Sequence, residues 1–200
     1  MIRNVVFDFG QVLIHFDPKY MVERYVTDPD DSALLQQVVF DRLYWGPLDR
    51  GDISDEEVLR LCRQRLPERL HDVAKTIYDN WIYNLPEIDG MRELVQQLKE
   101  EGKVHLYVLS NISTYFSSHA TEIPILELFE RCVFSAEHRV VKPEREIYDV
   151  LCQECHIRPE ETVFIDDSSI NIAGAEQYGI HGYLFDGDVP KLRRYLNSIL

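Results

Sequence analysis

The chain has 200 residues, 45% hydrophobic and 28% charged, which suits one packed domain or a core with a smaller insertion and excludes wholesale disorder. A formal net charge of −14 excludes a nucleic-acid backbone or an anionic membrane as the main partner, but admits a small anion wherever a lysine or a metal inverts the local field. Asp8 interrupts the first apolar run, so no signal peptide is read there, and no apolar stretch approaches the roughly 18 residues of a membrane span. A cytoplasmic monomer is the resulting expectation.

Val5-Val6-Phe7 reads as a strand buried on both faces of a parallel sheet, with Asp8 at its end and Gly10 permitting an unusual turn just beyond. Asp17-Pro18 then reads as a helix start, Asp as N-cap and Pro in the first turn. From there to about Leu85 the apolar spacing is helical. Leu34, Leu35, Val38 and Val39 mark one face, Val58, Leu59, Leu61, Cys62 and Leu66 a second, and Val73, Ile77, Tyr78, Trp81 and Ile82 a third. Ser54 and Glu57 form a capping box. Leu43 to Arg50, with Gly46-Pro47 inside it, reads as a connection carrying aromatics. Three or four helices in this much chain exceed what one crossover needs. Residues 17–85 are therefore read as a helical domain inserted after the first strand, with 1–16 and 86–200 forming the core.

An alternating pattern follows. Pro86 to Glu101 is predicted helical, stopped by Gly102. Val104 to Leu109 is a strand ending in Ser110-Asn111, and Arg131 to Phe134 a short strand. Lys142-Pro143 is read as opening a helix that runs to about Cys155. Thr162 to Ile165 is a strand ending in Asp166-Asp167, and Ser168-Ser169 start a helix to Tyr178-Gly179. His181 to Phe185 is the last strand and Val189 to Leu200 the last helix. The fold class is α/β: a Rossmann-like parallel sheet of about five strands with right-handed crossovers. Cys152 and Cys155 form a C-x-x-C late in a helical pattern with no second pair at zinc spacing, so all four cysteines are expected to be reduced and mostly apolar in role.

In a parallel sheet every strand's carboxyl end lies on one edge, where ligands bind. That edge collects Asp8, Ser110, Asn111, Lys142, Asp166 and Asp167. Clustered carboxylates repel one another unless a cation lies between them, and oxygen-only ligands suit Mg²⁺. A lysine just before a helix opposes the macrodipole, which makes sense if an anion sits between lysine and helix. Nucleophile, metal ligands, hydroxyl, amide and lysine together are a kit for phosphoryl transfer. Asp8-Phe9-Gly10 also spells the kinase metal-binding tripeptide, but kinases carry it after a Gly-rich loop and a catalytic loop, and neither precedes residue 8.

On these motifs the chain resembles a haloacid dehalogenase-superfamily phosphatase with a helical cap inserted after the first motif. Asp8-Phe9-Gly10-Gln11-Val12 stands for motif one, Ser110-Asn111 for motif two, Lys142-Pro143 for motif three, and Asp166-Asp167-Ser168 with Asn171 for motif four. Within that superfamily it is most similar to the bacterial glucose-1-phosphate phosphatase group. The resemblance implies a small phosphorylated metabolite as substrate and an aspartyl-phosphate on Asp8. It implies Mg²⁺ held by Asp8, the Gly10 carbonyl and Asp167 with Asp166 in support, and phosphate bound by Ser110, Asn111 and Lys142. It leaves two alternatives: a metal-independent 2-haloacid dehalogenase, against which the Asp166-Asp167 pair speaks, and a phosphate-binding regulatory protein with little turnover. One departure stands out. Most such phosphatases carry a second Asp at the position of Gly10 as general acid and base. Proton transfer is left without an assigned residue, with His15 nearest in sequence, and a preference for leaving groups that need little help, such as an anomeric sugar oxygen, is the expectation.

Overall fold

The structure, a computed structural model, describes residues 1–200. Five strands form one fully parallel sheet: β1 (Asn4–Phe7), β2 (His105–Ser110), β3 (Arg131–Phe134), β4 (Thr162–Asp166) and β5 (His181–Leu184), in the order β3-β2-β1-β4-β5. The first strand in the chain is thus the central one. Val5 lies opposite Leu106 on one side and Val163 on the other. The pleat sends Val5 and Phe7 to one face and Val6 to the other, and all three are fully buried. At about 1.5–3 kcal/mol per buried large apolar side chain, a one-residue slip of β1 would forfeit both faces at once. The register that brings Asp8 to the sheet edge is therefore strongly specified.

The smaller core, around Val6, Tyr107, Leu109 and Phe164, is covered by α9 (Arg145–Cys155) and α10 (Ser169–Tyr178). The larger core lies on the other face, under α6 (Met91–Glu101) and α11 (Val189–Ile199). It runs without a break into the helices between β1 and α6: α1 (Pro18–Glu23), α2 (Pro29–Val39), α3 (Arg42–Arg50), α4 (Asp55–Arg65) and α5 (His71–Asn80). Caps match the sequence reading at Asp17, which accepts from the N–H groups of Lys19 and Tyr20, and at Ser54, which accepts from Glu57. The chain leaves and re-enters the sheet through paired segments: His15 N–H donates to Pro86 O and Ile88 N–H to Leu13 O.

Four local expectations are corrected. Residues 43–50 are not a connection but most of α3. Asp41 caps that helix, and Pro47 is tolerated in a helix of only nine residues. With α1 also formed, the segment holds five α-helices. Pro86 to Ile88 is not helical, because its backbone bonds to Leu13 and His15 of the outgoing segment, and Asp89-Gly90 turn into α6 with Gly90, at φ 79°, as its N-cap. The positive φ near the first motif falls on Gln11, at 57°, and not on Gly10. Lys142-Pro143 does not open a helix: α9 begins at Arg145 after Glu144, whose carboxylate pairs with Arg50 of α3. The cysteines are free, and burial pushes the Cys152 thiol up to about 11 and Cys155 up to about 12, as apolar use requires. No helix is long and apolar enough to cross a membrane.

Candidate active site

Asp8 follows β1 directly and is 8% exposed. Its Oδ1 accepts from the Phe9 N–H at 2.7 Å and lies 2.8 Å from the Lys142 Nζ. The same ammonium donates to Asp166 Oδ2 at 2.8 Å and to the Leu109 carbonyl at 3.1 Å, and sits over the Phe164 ring. Lys142 is thus a buried cation between two strand-end carboxylates and does not front a helix terminus. Burial works against its charge, but Asp8 and Asp166 outweigh that and hold it above its ordinary pKa. Burial, opposed by Lys142 and reinforced by Asp166, pushes the Asp8 carboxyl up to about 7.

Asp166 is fully buried and saturated with donors. Oδ1 accepts from Ser168 N–H and Asn171 Nδ2, and Oδ2 from Lys142 and Asn171. Asp167 beside it is exposed, its carboxyl raised by partial burial and then by the charge of Asp166. One oxygen from each of Asp8, Asp166 and Asp167 lies within 4.8 Å of the others. Three carboxylates against one ammonium leave a local excess of negative charge. A hard cation between Asp8 and Asp167 answers it, and an all-oxygen donor set fits Mg²⁺.

Ser110 ends β2, 3% exposed, and lines a cavity of about 610 Å³ together with Asn111, Gly10 and Gln11. The Asn111 side chain is committed to the backbone of Lys142: Oδ1 accepts its N–H at 2.8 Å and Nδ2 donates to its carbonyl at 3.1 Å. This clasp across 31 residues sets the lysine's height above the sheet edge, a role that sequence reading missed because its partner is a main chain distant in sequence. Pro143 is seated against Gly174 of α10, where a Cβ would stand 2.8 Å from the proline ring and 2.9 Å from its carbonyl oxygen. Neither Ser110 nor Asn111 caps the following helix; Ser113 does. His15 is exposed and does not line the cavity.

The far wall comes from the inserted helices. Trp45 packs edge-on against Phe16 and Trp81, at 5.3 and 5.2 Å between ring centroids, and its Nε1 donates to the Val39 carbonyl. Phe16, Trp45 and Trp81 thus form a packed aromatic wall that lines the cavity. The C-terminal end of α3 is tied to the sheet domain at three points. Ser135 Oγ, at the start of α8 (Ser135–His138), donates to the Asp49 carbonyl at 2.5 Å. Arg50 pairs with Glu144. Gly51, at φ 77°, lies so close to Ala136 that a Cβ would stand 2.7 Å from its carbonyl oxygen. Gly51→Ala should therefore cost at least about 1–2 kcal/mol from backbone strain alone, with the clash in addition, and show as a lower urea midpoint.

Fold and site together define a Rossmann-like α/β protein that gathers three carboxylates and a buried lysine on the sheet edge. Comparison with known proteins agrees. The model of the haloacid dehalogenase-like hydrolases matches residues 2–179. The chain is 26% identical over 196 residues to a D-ribitol-5-phosphate phosphatase of Bacteroides thetaiotaomicron, covering 92% of this chain and 91% of that one. It is 24% identical over 181 residues to a sesquiterpene phosphatase of Aspergillus oryzae, covering 90% and 88%. Among solved structures it superposes on a HAD-like family hydrolase from Porphyromonas gingivalis with a TM-score of 0.73 and 26% identity, over 98% of both chains. It also superposes on a HAD family enzyme of B. thetaiotaomicron, in complex with magnesium and inorganic phosphate, with a TM-score of 0.72 and 26% identity over 96% and 99%. The chain belongs to the haloacid dehalogenase-like hydrolases.

Proposed function

We propose that this hydrolase is a Mg²⁺-dependent phosphomonoesterase acting on a small phosphorylated metabolite, a sugar or polyol phosphate of the kind represented by glucose 1-phosphate. Residues 17–85 serve as its cap over a core of residues 1–16 and 86–200. The observation that carries the reading is the buried Lys142 ammonium held 2.8 Å from both Asp8 and Asp166, with Asp167 alongside. Asp8, Asp167 and the Gly10 carbonyl would hold the ion, which when bound neutralises phosphate oxygens and carboxylates together. Asp166 keeps Lys142, Asn171 and the Ser168 backbone in place. Asp8, fixed by the Phe9 N–H, attacks phosphorus in line with the ester oxygen. Ser110 and Lys142, the latter clasped by Asn111, take the charge on the transferring group. The cytoplasm supplies such metabolites and the ion.

The test is phosphate release from a panel with and without Mg²⁺. The panel should include glucose 1-phosphate, glucose 6-phosphate, ribitol 5-phosphate and a prenyl phosphate. Release that needs Mg²⁺ and stops with EDTA supports the reading. Metal-independent halide release from a 2-haloacid would replace it with a dehalogenase. Phosphate binding with no turnover would replace it with a regulatory protein. Asp167→Ala should weaken Mg²⁺ affinity by about 10–100-fold or more, as metal-site substitutions do, with activity recovering as Mg²⁺ is raised. Unchanged Mg²⁺ dependence in that variant would remove Asp167 from the metal site.

A further inference from the structure

We infer that Asp49, at the end of α3, is the acid and base of this site, giving a proton to the departing ester oxygen and taking one from the water that follows. The inference rests on the phosphomonoesterase reading and assigns a step which that reading leaves open.

Four observations converge on Asp49. Among the residues lining the cavity, only Arg42 and Asp49 have ionisable side chains, and a guanidinium does not give up its proton. Asp49 is therefore the one carboxylic acid on the cavity wall. Its Oδ1 is sealed from solvent and has no hydrogen-bond partner in the protein, a costly arrangement for a carboxyl oxygen unless a ligand atom completes it. Its backbone is held to the core by Ser135, and its chain neighbours Arg50 and Gly51 lie against Glu144 and Ala136, so the stretch of main chain that carries the carboxyl group is fixed to the sheet side of the cavity. Finally, the loop that follows β1 carries no carboxylate two residues after Asp8, where Gly10 stands.

The local electrostatics agree with the geometry. Burial pushes the Asp49 carboxyl well above the ordinary carboxylate range. Lys142 pulls it down and Asp8 pushes it up again. Both residues of the catalytic edge are thus within electrostatic reach, and the protonated form is favoured in the resting site. The charged groups nearby on its own segment are committed elsewhere: Arg50 pairs with Asp52 and Glu144, and Asp52 also with Arg139, which leaves Lys142 and Asp8 as the charges acting on Asp49.

The step balances. An Asp8 oxygen forms a bond to phosphorus while the phosphorus–ester oxygen bond breaks. That electron pair goes to the leaving oxygen, which takes the Asp49 proton and departs as an alcohol. Water then bonds to phosphorus and gives a proton to the Asp49 carboxylate. The Asp8–phosphorus bond breaks, its electron pair returns to Asp8, and inorganic phosphate is released.

The test compares Asp49→Asn with wild type, at saturating Mg²⁺, on two probes: 4-nitrophenyl phosphate, whose leaving group needs no proton, and glycerol 1-phosphate, whose leaving group does. Asp49→Asn is expected to lose about 10²–10⁴-fold in kcat/KM on glycerol 1-phosphate and less than about tenfold on 4-nitrophenyl phosphate. Equal losses on both probes would overturn the inference, since a merely structural residue would not discriminate between leaving groups. No loss on either would also overturn it. Wild type inactive on both probes would overturn the phosphomonoesterase reading and the inference with it. A second variant separates folding from chemistry. A Cβ at Gly10 meets no atom within 4 Å and its φ is ordinary, so Gly10→Asp is sterically free. Added to Asp49→Asn, it should restore at least about tenfold of the glycerol 1-phosphate rate by supplying a carboxylic acid from the other wall. Failure of rescue, together with equal losses on both probes, leaves Asp49 a structural residue.

Discussion

Asp8→Asn is expected to lower turnover by about 10⁴–10⁶-fold, the range that follows loss of a covalent nucleophile. The amide occupies the same space but has no nucleophilic oxygen, and nothing else at the end of β1 can replace it. The fold should survive. In the metal-free protein the Asp8 carboxyl stands at about 7, above its ordinary value, chiefly through burial. A group with a raised folded pKa favours the folded state below its unfolded pKa, and that contribution is lost as pH rises from about 4 through about 7. At pH 8 the asparagine variant carries no such burden, so its thermal midpoint should equal or exceed that of wild type without Mg²⁺. Phosphate release and a melt at pH 8 check both halves. Retained activity with an unchanged melt would remove Asp8 from the nucleophile's role.

Lys142→Ala should damage stability and chemistry together. Wild type keeps one ammonium 2.8 Å from two buried carboxylates. Removing it leaves them unneutralised, a loss of about 3–5 kcal/mol for a broken buried ion pair. At about 2–4 °C per kcal/mol for a chain of this size, the melt should fall by roughly 10 °C without Mg²⁺. Mg²⁺ should recover part of this, because it returns positive charge to the same carboxylates. Activity should not recover with it. In the proposed mechanism the lysine also takes charge from the transferring phosphoryl group, and loss of such a group typically costs about 10²–10³-fold. Inorganic phosphate should bind the variant more weakly. Equal phosphate affinity in variant and wild type would confine Lys142 to an electrostatic role in the fold.

Much of this was legible in the chain itself, and the exceptions have definite causes. The strands are legible within a residue or so because the three central ones, β1, β2 and β4, are short apolar runs with both faces buried, while the edge strands β3 and β5 are marked by their place in the alternating pattern. The helix through residues 42–50 was hidden by Gly46-Pro47, a pair that marks a turn more often than a helix. Pro86 to Asp89 looked like the first turn of α6, yet its backbone partners are Leu13 and His15, far away in sequence. Lys142 was placed correctly at the sheet edge, but for a reason the structure replaces: its head turns back to Asp8 and Asp166.

The sequence by itself determined the sheet, the edge on which its polar residues gather and the family to which that pattern belongs. A parallel topology puts every strand's carboxyl end on the same side, so strand-end residues are brought together by chain direction alone. Only the tertiary structure decided how those residues are partnered. The Asn111 clasp spans 31 residues, the Lys142–Asp166 pair 24, and the Ser135 contact that carries Asp49 to the cavity 86. Such contacts depend on how loops and inserted helices dock, which no local periodicity encodes. A carboxyl group with nothing around it in sequence to mark it, Asp49, becomes distinctive only once packing has placed it on the cavity wall and left one of its oxygens buried without a partner.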